Sequence, residues 1–390
     1  MSELLIAGKK IVSPLPWFVR HEPRRPALMI SIRNIIFLFL LFTLNLAAAN
    51  AQQQEIQSIA GKLGIPAIQV VHVKDGIVSS FALGKKKFDS TAYITQNTIF
   101  QAASLTKVVT AYAFFKLYDK GLIALDKPLS DYYSYNRLSN DSLGKKITAR
   151  MVLTHRTGLL NWEGNVGTDA WKNEPLHVQF EPGTKYQYSG EGFYYLQLVM
   201  ESITGKSLRE IIQQEVFKPL GMLHSDMQWN DSLFVDFAYG HNGPDQSRRL
   251  AKWRYNNAAY TLYTTASDYT RFVQQALLEG RGLKKQTHQL MISKANEAQK
   301  EPGRMSDDDK FVPCALGMRL QLNEKGVWLW HTGSNPGFRC FFIANIKTKE
   351  TLVAFNNSET GMPVFNELMQ LFLERRQTFY AYNWKNGELD

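Results

Sequence analysis

The feature that most constrains the fold is a helical segment with no polar face. Its apolar side chains are too closely spaced to lie on one side of a helix: Val108, Val109, Ala111, Ala113, Phe114, Phe115 and Leu117. A helix that is apolar all round is stable only when other elements cover it completely. Gly121 favours a helix end just after Lys120. We therefore expect a central buried helix with secondary structure packed on more than one side.

Two residues at the start of this helix can carry chemistry. Ser104 and Lys107 are three positions apart, and residues with that spacing share one helix face, so the amine can reach the hydroxyl. A serine becomes a nucleophile when a base takes its proton, and a desolvated lysine can be that base. The same spacing occurs at Ser142 and Lys145, but that pair lies in a polar run without an apolar helix behind it. We interpret the second pair as chance.

Strand patterns occur near both ends of the chain, with helical patterns between them. Runs rich in β-formers at 67–73 and 77–83 flank Lys74-Asp75-Gly76, which is a hairpin signal. Further strand patterns lie at 315–322, 327–331, 338–346 and 351–355, and a helical pattern follows them at 364–373. Short turns join antiparallel neighbours. The predicted fold class is α/β (α+β), an antiparallel sheet flanked by helices with a mostly helical inserted domain.

This pattern predicts three parts of the chain. Residues 1–51 form an N-terminal extension with a signal peptide, 52–121 and 265–390 form one discontinuous α/β domain, and 122–264 form the mostly helical domain. Ligand sites favour the junction of two such domains, so we expect a crevice there.

The formal net charge of +10 lies partly in a segment that we expect to be removed. Residues 1–51 hold six basic and two acidic side chains, which leaves +6 on the other 339 residues. The remaining Lys and Arg residues are scattered and form no basic stripe interleaved with aromatic residues. The sequence therefore predicts no nucleic-acid partner.

The start of the chain has the order of a cleaved export signal. Arg33 precedes an apolar run at 35–44, and Ala49-Asn50-Ala51 has the small-x-small pattern of a cleavage site. The run is short for a bilayer, so no stable membrane span is expected after its removal. We expect a periplasmic or secreted protein. Residues 1–28 do not fit a signal peptide, and we expect translation to start at Met29 rather than Met1.

The cysteines and histidines predict neither a disulfide nor a metal site. Cys314 and Cys340 fall near predicted strands with another strand between them, so two buried thiols are favoured over the pairing that an exported protein would permit. The histidines show no metal-ligand spacing, and no dinucleotide or phosphate-binding motif is present. No cofactor is expected.

Two downstream stretches bear on Ser104. In the first, the Pro182-Gly183 turn precedes Tyr188-Ser189-Gly190 and a helix. A phenol titrates near pH 10, and a neighbouring ammonium eases its ionisation, so Tyr188 can shuttle protons. In the second, a strand leads into His331-Thr332-Gly333-Ser334, which can offer a backbone N–H to an oxyanion and a side chain to a substrate carboxylate. Each stretch alone is more often structural.

Together, Ser-x-x-Lys, Tyr-Ser-Gly and His-Thr-Gly resemble, in order and spacing, the serine hydrolases related to class C β-lactamases and penicillin-binding proteins. Flanking stretches at 153–159, 203–205 and 333–337 are similar too, and the likeness covers about residues 55–375. The resemblance implies a β-lactamase/transpeptidase-like fold.

The resemblance also implies a role for each matching residue. Ser104 would form the acyl-enzyme, Lys107 would assist its deprotonation, and Tyr188 would act as general base and then as acid for the leaving group. The backbone N–H groups of Ser104 and Ser334 would form the oxyanion hole. His331 would contact Tyr188 or the substrate.

Two positions depart from the family pattern. The family commonly has Tyr-x-Asn where this chain has Tyr188-Ser189-Gly190, and the adjacent Glu191 cannot donate the missing hydrogen bond when ionised. His331 stands where lysine is common, and a neutral imidazole attracts a carboxylate less than an ammonium does. Both departures favour an esterase or a D-peptidase or amidase over a true β-lactamase. His155 has no partner in the sequence, and we interpret it as part of a structural turn near the site.

The sequence thus predicts an exported serine hydrolase of the β-lactamase-related class. Its substrate would be a small-molecule ester, a small amide or peptide, with cell-wall peptide as one candidate, or a β-lactam-like ring. The alternative is a catalytically weak or inactive penicillin-binding-like protein that binds the cell wall.

Overall fold

A six-stranded sheet dominates the computed structural model, which describes residues 50–299 and 305–385. The strands are β1 (Ala67–Lys74), β2 (Ile77–Gly84), β3 (Phe100–Gln101), β4 (His241–Gly243), β5 (Gln246–Ser247), β6 (Tyr263–Thr264), β7 (Arg319–Asn323), β8 (Gly326–Asn335), β9 (Phe338–Asn345) and β10 (Thr351–Asn356). The large sheet has the order β2-β1-β10-β9-β8-β7. All its neighbours are antiparallel, which confirms the predicted sheet.

Helices cover this sheet and fill the segment between its two halves. They are α1 (residues 50–62), α2 (Leu105–Asp119), α3 (Ala149–Leu153), α4 (Gly190–Thr204), α5 (Leu208–Ile212), α6 (Lys218–Leu220), α7 (Ala266–Phe272), α8 (Lys285–Ile292), α9 (Val364–Phe372) and α10 (Tyr380–Lys385). Helical turns of the π type at Gln213–Phe217 and Val273–Leu278 continue α5 and α7. Short 3-10 turns lie at Leu129–Asp131, Asn136–Leu138, Gly144–Lys146, Asp231–Val235 and Asp308–Phe311.

The two faces of the sheet bury two separate apolar clusters. Strand side chains alternate between faces, so Leu329 packs in the cluster of α2 while its neighbour Trp330 packs in the cluster of α1 and α9. Helices on both faces explain why these strands carry apolar residues on both sides.

The central helix is buried as the sequence predicted. Twelve of the fifteen residues of α2 are buried, and the helix gives way to Gly121 with φ +73°. The turn at 315–318 approaches it closely: a Cβ built on Gly317 would lie 2.2 Å from Ala111 Cβ. Only a glycine permits this approach, since Gly317 also has φ +95°.

The third and fourth predicted strand patterns differ from the strands observed. Residues 315–318 form a turn in which the Ala315 N–H donates to Met318 O, so β7 begins only at Arg319. Strand β8 runs through His331-Thr332-Gly333-Ser334 to Asn335, beyond the predicted end at 331. Its extension is stabilised by pairing with β9, which local patterns do not reveal.

Several predictions concern other parts of the chain. Cys314 and Cys340 are both buried and form no disulfide. The described residues, 50–299 and 305–385, belong to one compact unit, and the division at 121 and 265 stays a prediction. The signal peptide and the start at Met29 fall outside the described residues. Within the described ranges, no helix is long and apolar enough to cross a membrane.

Replacing Gly317 with Ala should destabilise the protein more than the same change at Gly326. Both glycines have positive φ, but a Cβ at Gly326 would meet nothing within 4 Å. Both variants therefore lose the same free energy of unfolding to the unfavourable backbone conformation. Gly317→Ala should lose a further ~1–3 kcal/mol of this free energy, because its new Cβ overpacks against α2. Urea unfolding of both variants measures this difference. Equal losses would show that the contact with Ala111 is relieved without cost.

Candidate active site

The predicted pair at the start of α2 is in contact. Lys107 is 1% exposed, and its Nζ donates to Ser104 Oγ at 3.2 Å and to Ala259 O at 3.1 Å. The Ser104 side chain precedes the helix without capping it, so its hydroxyl is available for chemistry. Ser142 and Lys145, by contrast, are both exposed on the surface.

The backbone before the nucleophile is strained. Ala103 has φ +45°, a left-handed conformation that costs an alanine about 1–2 kcal/mol. The turn is held by hydrogen bonds from Thr106 Oγ1 to Ala103 O (2.5 Å) and from Ala102 N to Leu262 O (2.8 Å). Such strain persists where surrounding contacts over-determine it, typically at functional sites.

Strand β8 extends beyond the residues that pair with strand β7. The β7–β8 register ends with Arg319 opposite Trp330, so β8 from His331 to Asn335 forms the edge of the sheet. Ile346 N donates to Val327 O across the β8–β9 ladder. Since ladder bonds alternate along a strand, odd-numbered residues of β8 bond to β9 and Ser334 directs its N–H to the open edge.

This edge lies beside Ser104. A Cβ built on Gly333 would lie 2.6 Å from Ala102 O and 3.0 Å from Ala103 Cβ, so glycine is required for the approach. The Cys340 thiol, opposite Gly333 on β9, donates to Ala102 O at 2.8 Å. Gly333 therefore lies against the two residues that precede Ser104, and Ser334 follows it on the same strand.

His331 and Thr332 lie on opposite faces of β8. The buried His331 ring donates from Nδ1 to Thr332 O at 2.6 Å, since a carbonyl can only accept, and its centroid lies 6.4 Å from that of Tyr188. Strand alternation places Thr332 on the face of Trp330, where both line an apolar cavity with Phe365 of α9.

Two basic side chains lie close to the Tyr188 ring. Lys107 Nζ is 4.8 Å from the centre of its ring, and the guanidinium carbon of Arg319 is 5.6 Å from it. Arg319 is buried on β7 and donates to the Tyr186 hydroxyl. Two positive charges are therefore close to the ring of Tyr188.

His155 positions the Tyr188 segment. Its carbonyl accepts from Gln187 N (2.8 Å), its Nδ1 accepts from Ser189 N (3.1 Å), and its ring lies 4.3 Å from that of Tyr188. Like Ala103, it has positive φ (+55°). Burial, with the charges of Arg319 and Lys107, holds the pKa of His155 well below its ordinary value. A neutral ring that accepts at Nδ1 fits the structural interpretation of this residue.

Glu191 is occupied by structural hydrogen bonds. Its carboxylate is fully buried and accepts from Arg137 (2.9 Å), Trp171 Nε1 (2.9 Å) and Glu163 N (3.1 Å). The residue next to Gly190 therefore serves to hold the 163–171 loop on α4.

Sequence reasoning missed two groups of this site. The Ala259 carbonyl gives no side-chain signal, because its role depends on where the backbone passes. Arg319 had a signal: a charged residue interrupts an otherwise apolar strand pattern at 315–322.

Comparison with known proteins identifies similar chains. The profile of the family described as Beta-lactamase matches residues 52–373. Penicillin-binding protein 4* of Bacillus subtilis (strain 168) is 26% identical over 298 residues, which cover 67% of this chain and 61% of that protein. This chain thus spans less than two thirds of that relative's length.

Solved structures share the fold. A class C beta-lactamase superposes with a TM-score of 0.68 at 21% identity, covering 83% of this chain and 96% of that one. A beta-lactamase/D-alanine carboxypeptidase from Pseudomonas syringae gives 0.71 at 16% identity, with 84% and 99% covered. These likenesses confirm the predicted fold class.

His155→Gln should reduce the loss of stability on acidification. An unfolded histidine takes up a proton below about pH 6.5, whereas the buried His155 stays neutral, so the free energy of unfolding falls as pH drops from 7 to 5. One such group contributes up to about 1.4 kcal/mol per pH unit. Urea unfolding across this range gives the slope. Gln179→Ala, a surface change, should keep the wild-type slope; an unchanged slope in His155→Gln would contradict the neutral ring.

Proposed function

This chain belongs to the beta-lactamase family, and we propose that it is an exported serine hydrolase acting through an acyl-enzyme on Ser104. One observation carries the proposal: Lys107 Nζ lies 3.2 Å from Ser104 Oγ in a buried site. The Tyr188 ring beside Lys107 and the edge of β8 beside Ala102 and Ala103 complete that site.

In the proposed acylation step, Ser104 Oγ attacks the carbonyl carbon of the substrate. Tyr188, ionised beside Lys107 and Arg319, takes the hydroxyl proton as general base. Lys107 stabilises the developing charge on Oγ through its hydrogen bond. Because the ammonium is already in place, this stabilisation needs no reorganisation during the reaction.

The tetrahedral intermediate then collapses. The N–H groups of Ser104 and Ser334 hold its oxyanion, and Tyr188 returns the proton to the leaving alcohol or amine as the acyl–oxygen or acyl–nitrogen bond breaks. A water molecule, deprotonated by Tyr188, attacks the acyl-enzyme. Its hydrolysis releases a carboxylic acid and restores the Ser104 hydroxyl.

The proposed substrate is an ester, a small amide or peptide, or a β-lactam-like ring. Gly190 offers no amide to a substrate carbonyl and His331 replaces an ammonium, so an esterase or a D-peptidase or amidase is favoured over a true β-lactamase. The relatives' names, a penicillin-binding protein and a D-alanine carboxypeptidase, support cell-wall peptide as a candidate. The apolar run at 35–44 supports export.

The same two departures support the alternative, a catalytically weak or inactive protein that binds cell wall through the same crevice. Covalent labelling separates the two functions, because only an activated serine reacts with a fluorophosphonate.

A fluorophosphonate should label wild-type protein at Ser104, as mapped by peptide mass spectrometry. Ser104→Ala should abolish labelling, since among the described residues Ser104 is the serine whose hydroxyl accepts a hydrogen bond from a buried lysine. Ser142→Ala is the matched control and should label like wild type, because that serine is exposed and lacks a buried lysine. Absence of label at Ser104 with both this probe and a labelled penicillin would remove the enzyme proposal.

Tyr188→Phe should lower kcat/KM for a p-nitrophenyl ester by roughly 10²–10⁴-fold, the usual contribution of a general acid–base group. The matched control is Tyr195→Phe, which removes a buried hydroxyl that donates to Tyr133 O at 3.3 Å instead of facing Lys107. Its rate should stay near wild type. Wild-type turnover in Tyr188→Phe would assign the base to another group.

A further inference from the structure

The space beside Gly190 is filled by another residue. Gly190 follows Tyr188 by two positions and begins α4. A Cβ built on it would lie 2.4 Å from Cζ2 and 2.6 Å from Cη2 of Trp162. Both atoms belong to a rigid ring, so no side chain can stand at position 190 while the indole is there.

Both chain neighbours of Trp162 are hydrogen-bonded to the start of α4. Asn161 Oδ1 accepts from Gly190 N at 3.0 Å, and Asn161 O accepts from Glu191 N at 3.1 Å. On the other side, Glu163 N donates to the buried Glu191 carboxylate at 3.1 Å. The loop that carries Trp162 is therefore attached to the start of α4.

The other side of the indole meets Tyr260. The two rings are edge to face, with centroids 5.5 Å apart, and both are partly exposed. Tyr260 follows Ala259, whose carbonyl accepts from Lys107, and Tyr260 O accepts from Asn335 Nδ2 at 3.2 Å. The pair thus extends from the Tyr188 segment to the loop that contacts Lys107 and the end of β8.

We propose that Trp162 and Tyr260 form an apolar wall that receives the acyl group of the substrate. The wall selects acyl groups made of hydrocarbon over those with an amide next to the scissile carbonyl. This inference rests on the proposed function, because it names the substrate class for an acyl-enzyme on Ser104.

Two physical effects produce the selection. Each methylene removed from water against the rings favours the bound acyl group by about fourfold. An amide placed there loses its water and finds no side-chain donor at position 190, which disfavours it by roughly tenfold.

The test compares p-nitrophenyl esters that differ only in the acyl part. With wild-type protein, kcat/KM should rise about fourfold per methylene from acetate to pentanoate. Pentanoate should exceed the N-acetylglycine ester, which has the same chain length, by roughly tenfold. A flat series, or a preference for the N-acetylglycine ester, would overturn the proposal.

Variants assign the selection to the ring. In Trp162→Ala, kcat/KM should no longer rise with the length of the acyl chain. Trp162→Phe should keep most of this rise, because phenylalanine retains an apolar ring and lacks the indole N–H. If the Trp162→Phe series is as flat as the Trp162→Ala series, an apolar ring at position 162 does not produce the selection and the apolar wall is wrong. Tyr93→Ala, at a 66% exposed aromatic residue, is the control and should leave the series unchanged.

Labelling with a small fluorophosphonate that carries an ethyl group tests the proposed function separately from the apolar wall. Failure of wild-type protein to label at Ser104 would reject the proposed function itself. Normal labelling with a flat ester series would reject only the wall. If Trp162→Ala fails to label because it is misfolded, the wild-type series and Trp162→Phe still decide the question.

Discussion

The burial of the Lys107 ammonium is the constraint on which the site depends. A buried charge is costly unless polar groups satisfy it. Ser104 Oγ and Ala259 O supply two acceptors, and the segment carrying Ala259 is held by the bond from Ala258 N to Gln197 Oε1 of α4. The lysine therefore ties the nucleophile to a loop and a helix that are distant in sequence. A change in any of the three would alter the environment of the ammonium.

Backbone strain occurs next to the two segments that carry Ser104 and Tyr188. Ala103 and His155 have positive φ, and they adjoin the nucleophile and the Tyr188 segment respectively. In both cases hydrogen bonds and close packing hold the unfavourable conformation. The site is therefore pre-organised: the free energy that positions Ser104 and Tyr188 is spent during folding and not during the reaction.

Local patterns predicted what depends on local physics. The all-round apolar helix, the hairpin at Lys74-Asp75-Gly76 and the Ser104–Lys107 pair follow from helix and strand periodicity, and the structure contains all three. The length of β8 could not be predicted, because its last residues pair with β9 on one side and extend past β7, which begins only at Arg319, on the other. The Ala259 carbonyl and the Trp162 ring were also out of reach, since their roles arise only when distant segments meet.

The pairing of β1 with β10 determines when the sheet can close. Ile68 stands opposite Asn356, so a chain synthesised from its N-terminus cannot close the sheet until its last strands exist. Ser104 and Lys107 emerge early, but the edge at Ser334 and the strands that bury α2 come from the final part of the chain. A growing chain thus carries Ser104 and Lys107 before the strands that surround them exist. Contacts this far apart in sequence also form slowly, so the arrangement around Ser104 is among the last parts of the molecule to assemble.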